Sequence, residues 1–123
     1  MREISDLVGI PYVRHGRDEC GLDCFGLIWL IAKRNGTPID DIWYRGYDPS
    51  LMGKAEGIGL GRADGPESGR VIEMEKDGRL HLGYALDERR MIHASLNEGV
   101  VVEAIGRYPV KGYWAFAGGI RWE

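Results

Sequence analysis

Two hydrophobic patterns divide the chain. Between positions 24 and 35 the apolar residues Phe25, Leu27, Ile28, Trp29, Leu30, Ile31 and Ala32 run nearly all the way round a helical wheel. That predicts a central helix covered on most sides, not a surface helix with one apolar stripe. Its ends are marked: Asp23 is a good N-cap, and Gly36 followed by Pro38 is a good stop. From position 71 the pattern changes to short apolar runs between turn residues: 71–75, 79–86, 90–95, 99–105 and 110–116. Short strands spaced by turn signals predict an antiparallel sheet. Helices first and strands after give an α+β layout, with the central helix packed on one face of the sheet.

Elsewhere the pattern is weaker. Residues 2–8 suit a short helix, and 10–22 read as loop, punctuated by Pro11, Gly16 and Gly21. Asp48-Pro49 opens a second short helix through about position 56. The stretch GIGLGRADGPESG reads as glycine-rich loop. Its GIGLG is a poor phosphate-binding candidate, with no Lys-Ser/Thr after it and no apolar strand before it.

Composition narrows the function classes. The 123 residues suit one domain, 1–123, long enough for one core. With 44% hydrophobic and 28% charged residues, the chain has a globular rather than a disordered profile. A net charge of -3 and the lack of a basic block speak against a nucleic-acid partner. The N-terminus lacks the apolar stretch and cleavage site of a signal peptide, which predicts a chain cytoplasmic during synthesis. No segment approaches ~20 apolar residues, so no membrane partner is expected. Two cysteines cannot build a disulfide framework.

The candidate chemistry starts at Cys24, in the first turn of the expected helix. Free amides and the macrodipole there favour thiolate over thiol. Gly26 costs roughly 1 kcal/mol against alanine inside a helix, which makes sense where a backbone or a substrate approaches closely. The alternative is a buried cysteine acting as a small hydrophobe. The three histidines are His15, His81 and His93. Alternation puts Leu80, Leu82, Tyr84 and Leu86 on one face of 79–86, and His81, Gly83 and Ala85 on the other. The histidine face has the smallest neighbours, so the helix end and a substrate are expected there. His81 would take the thiol proton and return it to a leaving amine, and a charged His81 would in turn stabilise the thiolate. A hydrogen-bonded structural histidine is the other reading.

His93 is the candidate to orient His81, and the turn between their strands decides whether it can. A two-residue turn at Glu88-Arg89 puts the two histidines on opposite faces. A three-residue loop, Asp87-Glu88-Arg89, sets Gly83 opposite His93 and makes His81 its diagonal neighbour, ~7–8 Å away between backbones. The sequence leaves both open.

These residues carry a resemblance. DCFGL at 23–27, HLGYAL at 81–86 and MIHAS at 91–95 resemble the signature blocks of the NlpC/P60 cysteine peptidases, and GIPYVRHG at 9–16 resembles the family's approach to its cysteine. In order, the blocks span about residues 6–116. The short form is similar to versions in phage tail-tip assembly proteins and prophage regions. The resemblance implies a papain-like α+β fold, with Cys24 as nucleophile, His81 as base and His93 as the polar residue orienting it. Tyr12 matches a family tyrosine that helps hold the substrate or the developing oxyanion; a packed loop aromatic is its other reading. Peptidoglycan stem peptides are the implied substrate and phage tail proteins further partners, with a virion tail as an implied location. No metal or cofactor is implied.

The chain departs from the family pattern at several places. Phe25 replaces the usual Ser or Trp, Asp-Glu-Arg replaces a Gly-Asp-Gly turn, Ser68-Gly69-Arg70-Val71 lacks an acidic residue, and His15 occupies a glycine position. Cys20 lies four residues before Cys24, a spacing less suited to zinc than C-x-x-C. Zinc held by both cysteines and a histidine is one alternative. A bystander thiol that switches the enzyme off by oxidation to Cys24 is another. Two main function classes follow: a thiol peptidase acting on cell-wall peptides, or a tail assembly protein that keeps the fold and cuts little. An amide hydrolase or acyltransferase is a third.

Overall fold

The computed structural model describes residues 4–41 and 59–116. The helix expected near 48–56 lies outside them. A 3-10 turn (Ser5–Leu7) comes first, then the two-residue strands β1 (Arg17–Asp18) and β2 (Gly21–Leu22), and helix α1 (Cys24–Arg34). Strands β3 (Leu60–Ala63), β4 (Val71–Lys76), β5 (Arg79–Ala85), β6 (Arg90–Ser95), β7 (Gly99–Ala104) and β8 (Val110–Phe116) follow. They form one antiparallel sheet in the order β3-β8-β4-β5-β6-β7.

The expected central helix and the five expected strands from 71 onward are all present. Three expectations are corrected. Of the helix expected over 2–8, the described residues show the 3-10 turn alone, ended at Val8 where the backbone becomes extended (ψ 131). Gly9 N–H donates to the Val100 carbonyl at 2.8 Å, and Val100 N–H donates to Ile10 at 2.9 Å, so this segment lines the β7 edge. The loop over 10–22 contains the β1–β2 ladder. The glycine-rich stretch contributes β3, which pairs with β8 from Leu60–Phe116 to Ala63–Tyr113. With one large apolar residue, β3 had no alternation to reveal it.

Helix α1 lies on one face of the sheet. Phe25, Leu27, Ile28 and Ile31 are fully buried against Val71, Leu82, Tyr84, Ile92 and Ala94. Each such side chain contributes roughly 1.5–3 kcal/mol of transfer free energy. A second cluster, Ile72, Met74, Ala85 and Met91, lies on the opposite face, with Ile105, Tyr108, Val110 and Tyr113 packed against it. In a flat sheet β7 and β8 would stand about 19 Å apart. The link over 105–109 reaches about 20 Å only if fully extended, and a turn closed by Arg107 N–H on the Ala104 carbonyl shortens it. The sheet must therefore curl, with the second cluster inside the curl.

Candidate active site

Cys24 is the first residue of α1, and the N-cap that places it is heavily bonded. Asp23 Oδ1 accepts from Gly26 N–H at 2.7 Å and from Arg17 Nη1 at 2.9 Å, and Oδ2 accepts from His15 N–H at 2.8 Å. Arg17 also donates to the Gly16 carbonyl and to Asp41, and its guanidinium stands 5.2 Å from the Phe25 ring centre. Gly26 is explained by a backbone rather than a substrate: a Cβ there would run into the Gly16 carbonyl oxygen. The approach loop is thereby clamped to the first turn of α1.

Tyr12 forms a bridge to Leu22 and is half-buried. Its phenol is pushed up to about 12, first by burial and then by the charges of Cys24 and Asp23. It stays protonated at neutral pH, a donor close enough to the thiol to feel its charge.

The turn is resolved in favour of the three-residue loop. Leu86 N–H donates to the Arg90 carbonyl at 2.9 Å, and Gly83 pairs with His93. Asp87 makes this loop without the expected glycines: Oδ1 accepts from Arg89 N–H and Arg90 N–H, both at 2.8 Å. A side chain thus supplies bonds that would otherwise need a special backbone. The β5–β6 ladder runs only from Ala85–Met91 to Gly83–His93. Beyond it the strands part, and the His81 ring reaches across the gap. His81 Nε2 and His93 Nδ1 are 2.8 Å apart, with the rings nearly perpendicular. Both side chains are buried.

The body of α1 packs on the opposite face of the sheet from the His81 side chain. His81 pairs with Met74, and His93 with Gly83, whose own surface meets Met74 and Met91. The histidines therefore share the face of the second cluster. Cys24 belongs to the helix-side cluster with Leu82 and Tyr84. Alternation separated the two faces correctly, but burial demand assigned the helix to the larger residues. The structure brings His81 to His93, and sets Tyr12 against the cluster that holds Cys24.

The surroundings of His81 oppose the expected positive charge. His81 is pushed down to about 3, mainly by burial, then by His93 and by Lys76. A neutral imidazole at pH 7 is a base, not a cation waiting beside a thiolate. His93 is also lowered by burial, with Lys76 acting in the same direction and Glu103 and Glu98 opposing. Behind the pair, His93 Nε2 lies 3.7 Å from Glu103 Oε1, and the Tyr108 ring stands edge-on to His93 at 5.9 Å. Sequence reasoning missed Arg17, Lys76, Glu103 and Tyr108. The only signal was for Glu103, a carboxylate in step with Val101 and Ile105 in an otherwise apolar run. Cys20 is exposed and Cys24 buried, and no disulfide joins them. Among the described residues, no group of three or more His, Cys, Asp or Glu side chains is arranged to hold a metal ion.

No protein-family model and no curated protein sequence matches this chain. Solved structures do. The NlpC/p60 domain of the peptidoglycan hydrolase SagA superimposes with a TM-score of 0.60 at 20% identity, over 89% of this chain and 88% of that one. An NlpC/P60 family protein from Bacillus cereus ATCC 10987 gives a TM-score of 0.60 at 23% identity, over 85% of this chain. The chain spans about a third of that protein, 35% of its length. At these identities the likeness is one of architecture, the α+β fold of NlpC/P60 domains, seen among the described residues as α1 packed on a six-stranded antiparallel sheet.

Proposed function

We propose that this chain is a thiol hydrolase of the NlpC/P60 type, cleaving peptide bonds in bacterial cell-wall stem peptides. Cys24 is the nucleophile, His81 the base and His93 the residue that orients it. The observation that carries this reading is the buried 2.8 Å bond between His81 and His93, on a fold whose helix opens at a capped cysteine.

This reading requires the Cys24 thiol to come within bonding reach of His81 Nδ1. His81 Nδ1 takes the Cys24 proton as sulfur adds to the substrate carbonyl. The oxyanion is held at the positive N-terminal end of α1 and by the Tyr12 hydroxyl. His81 then returns the proton to the departing amine as the C–N bond breaks, leaving a thioester on Cys24. Water, deprotonated by the same nitrogen, adds to the thioester carbonyl. The acid product leaves, and the proton returns to the thiolate.

A second reading, a tail assembly protein on the same fold, rests on the likeness being one of architecture at 20–23% identity. Purified muropeptides separate the two. The hydrolase reading expects new amines by mass spectrometry, and none with Cys24→Ala, which costs about 1 kcal/mol of stability at most. His81→Ala should be nearly as damaging, and the double variant no worse, because nucleophile and base act as one unit. His93→Gln should be milder. A wild-type protein that releases no amine from any muropeptide leaves the assembly reading in place.

A further inference from the structure

The bond between His81 Nε2 and His93 Nδ1 contains one proton, and two arrangements satisfy it. In the first, His81 donates. Its Nδ1 is then bare, and His93 carries its own proton on Nε2. In the second, His93 donates. The neutral His81 then carries its proton on Nδ1, where it cannot accept another. Which arrangement holds is decided at the far end of the pair.

At that end His93 Nε2 is buried without a hydrogen-bond partner, and so is Glu103 Oε2. Glu103 pairs with Met91 and Val101 with His93, which makes Glu103 the diagonal cross-strand neighbour of His93 on the inner face. Its Oε1 lies 3.7 Å from Nε2, and its Oε2 lies 3.9 Å from Arg107 Nε. A bare Nε2 would aim a lone pair at a carboxylate, two acceptors facing one another in a poorly solvated place. A protonated Nε2 aims an N–H at it. The other charged or titratable groups around the pair are Lys76 on β4, whose ammonium lies over the Tyr108 ring, Tyr108 itself and Glu98 in the β6–β7 turn. None of them competes as an acceptor for Nε2 within bonding distance among the described residues.

We propose that Glu103 is a positioning residue: its carboxylate keeps the proton on His93 Nε2 and so, through the histidine bond, leaves His81 Nδ1 bare. The catalytic part of this statement rests on the hydrolase reading; the tautomer part stands on the contacts alone. A gap of 3.7 Å closes to a hydrogen bond with a small side-chain rotation, as sites of this kind tighten on substrate binding.

Long-range proton–nitrogen NMR of the imidazoles at pH 7 distinguishes protonated from bare ring nitrogens. Wild type should show protons on Nε2 of both histidines. Glu103→Ala should shift the population toward protons on both Nδ1 atoms, and Glu103→Gln, whose amide oxygen still accepts, should retain most of the wild-type pattern. In the muropeptide assay Glu103→Ala should lower kcat about tenfold with KM unchanged, well short of the ~10⁴-fold loss from a wholly wrong tautomer in a triad enzyme. Glu103→Gln should restore most of it. Wild-type tautomers that survive Glu103→Ala, or a wild type already protonated on His81 Nδ1, overturn the proposal. A tautomer shift in a protein without turnover supports the role of Glu103 and removes the hydrolase reading instead.

Discussion

Cys24 and Cys20 stand four positions apart in contrasting surroundings. Cys20 is exposed on the β1–β2 turn, and Cys24 is buried at the helix N-terminus. With His81 neutral at pH 7, the helix end is a source of activation for the Cys24 thiol. A macrodipole contribution of 0.3–1 kcal/mol corresponds to about two- to fivefold more thiolate. Limiting iodoacetamide near pH 6 should therefore modify Cys24 before Cys20, in spite of its burial, as read by peptide mass mapping. Equal modification, or faster modification of Cys20, would return Cys24 to the role of a core thiol. Tyr12 belongs to the same local system, as a hydroxyl that stays protonated beside a nascent negative charge.

At the scale of an element, α1 is held less by helix propensity than by the loop locked to its first turn. By propensity alone Gly26→Ala should stabilise the helix by roughly 1 kcal/mol. The Gly16 carbonyl occupies the space the new methyl needs, so we expect a net destabilisation of about 1–3 kcal/mol instead. Urea denaturation gives the sign directly, and a stabilised variant would refute the close approach. Asp23→Ala removes the cap on Gly26 N–H and leaves Arg17 and His15 N–H without that acceptor. A loss of about 2–3 kcal/mol is expected. Asp23→Asn should cost less, because its amide oxygen can still cap. The β5–β6 loop obeys the same logic: Asp87 sets a register that local backbone preference left undecided.

For the whole molecule, the buried histidines predict acid sensitivity. His81 binds its proton near pH 6.5 when unfolded and only near pH 3 when folded. Between these values the unfolded chain holds more protons, so stability is full above pH 6.5 and falls as the pH drops toward 3. For His81 alone the loss is about 2 kcal/mol at pH 5, and His93, lowered in the same direction, adds to it. The exposed carboxylates Asp6, Glu19 and Asp87 contribute only further down, below their ordinary values of 3.8 to 4.5. Urea midpoints at pH 7 and pH 5 should therefore differ for wild type and draw together in His81→Gln. An unchanged pH dependence in that variant would show that His81 is not the group being protonated.

The sequence by itself determined the elements whose signals are local. An all-round apolar run with a cap and a stop specifies α1. Alternating runs between turns specify β4 to β8, and the chemistry-bearing residues declare themselves by type and spacing. Alternation also determined that His81 and Gly83 share a face that Leu82 and Tyr84 do not. Tertiary structure decided the rest. Which face meets the helix depends on where the larger apolar surface is buried, and that depends on every strand at once. The strand β3 and the segment along the β7 edge exist only because a partner offers them hydrogen bonds. Protonation of His81 follows from burial and from the charges around it, quantities no local pattern contains. Glu103 acquires its place only when β7 pairs with β6 and brings a carboxylate beside a buried imidazole.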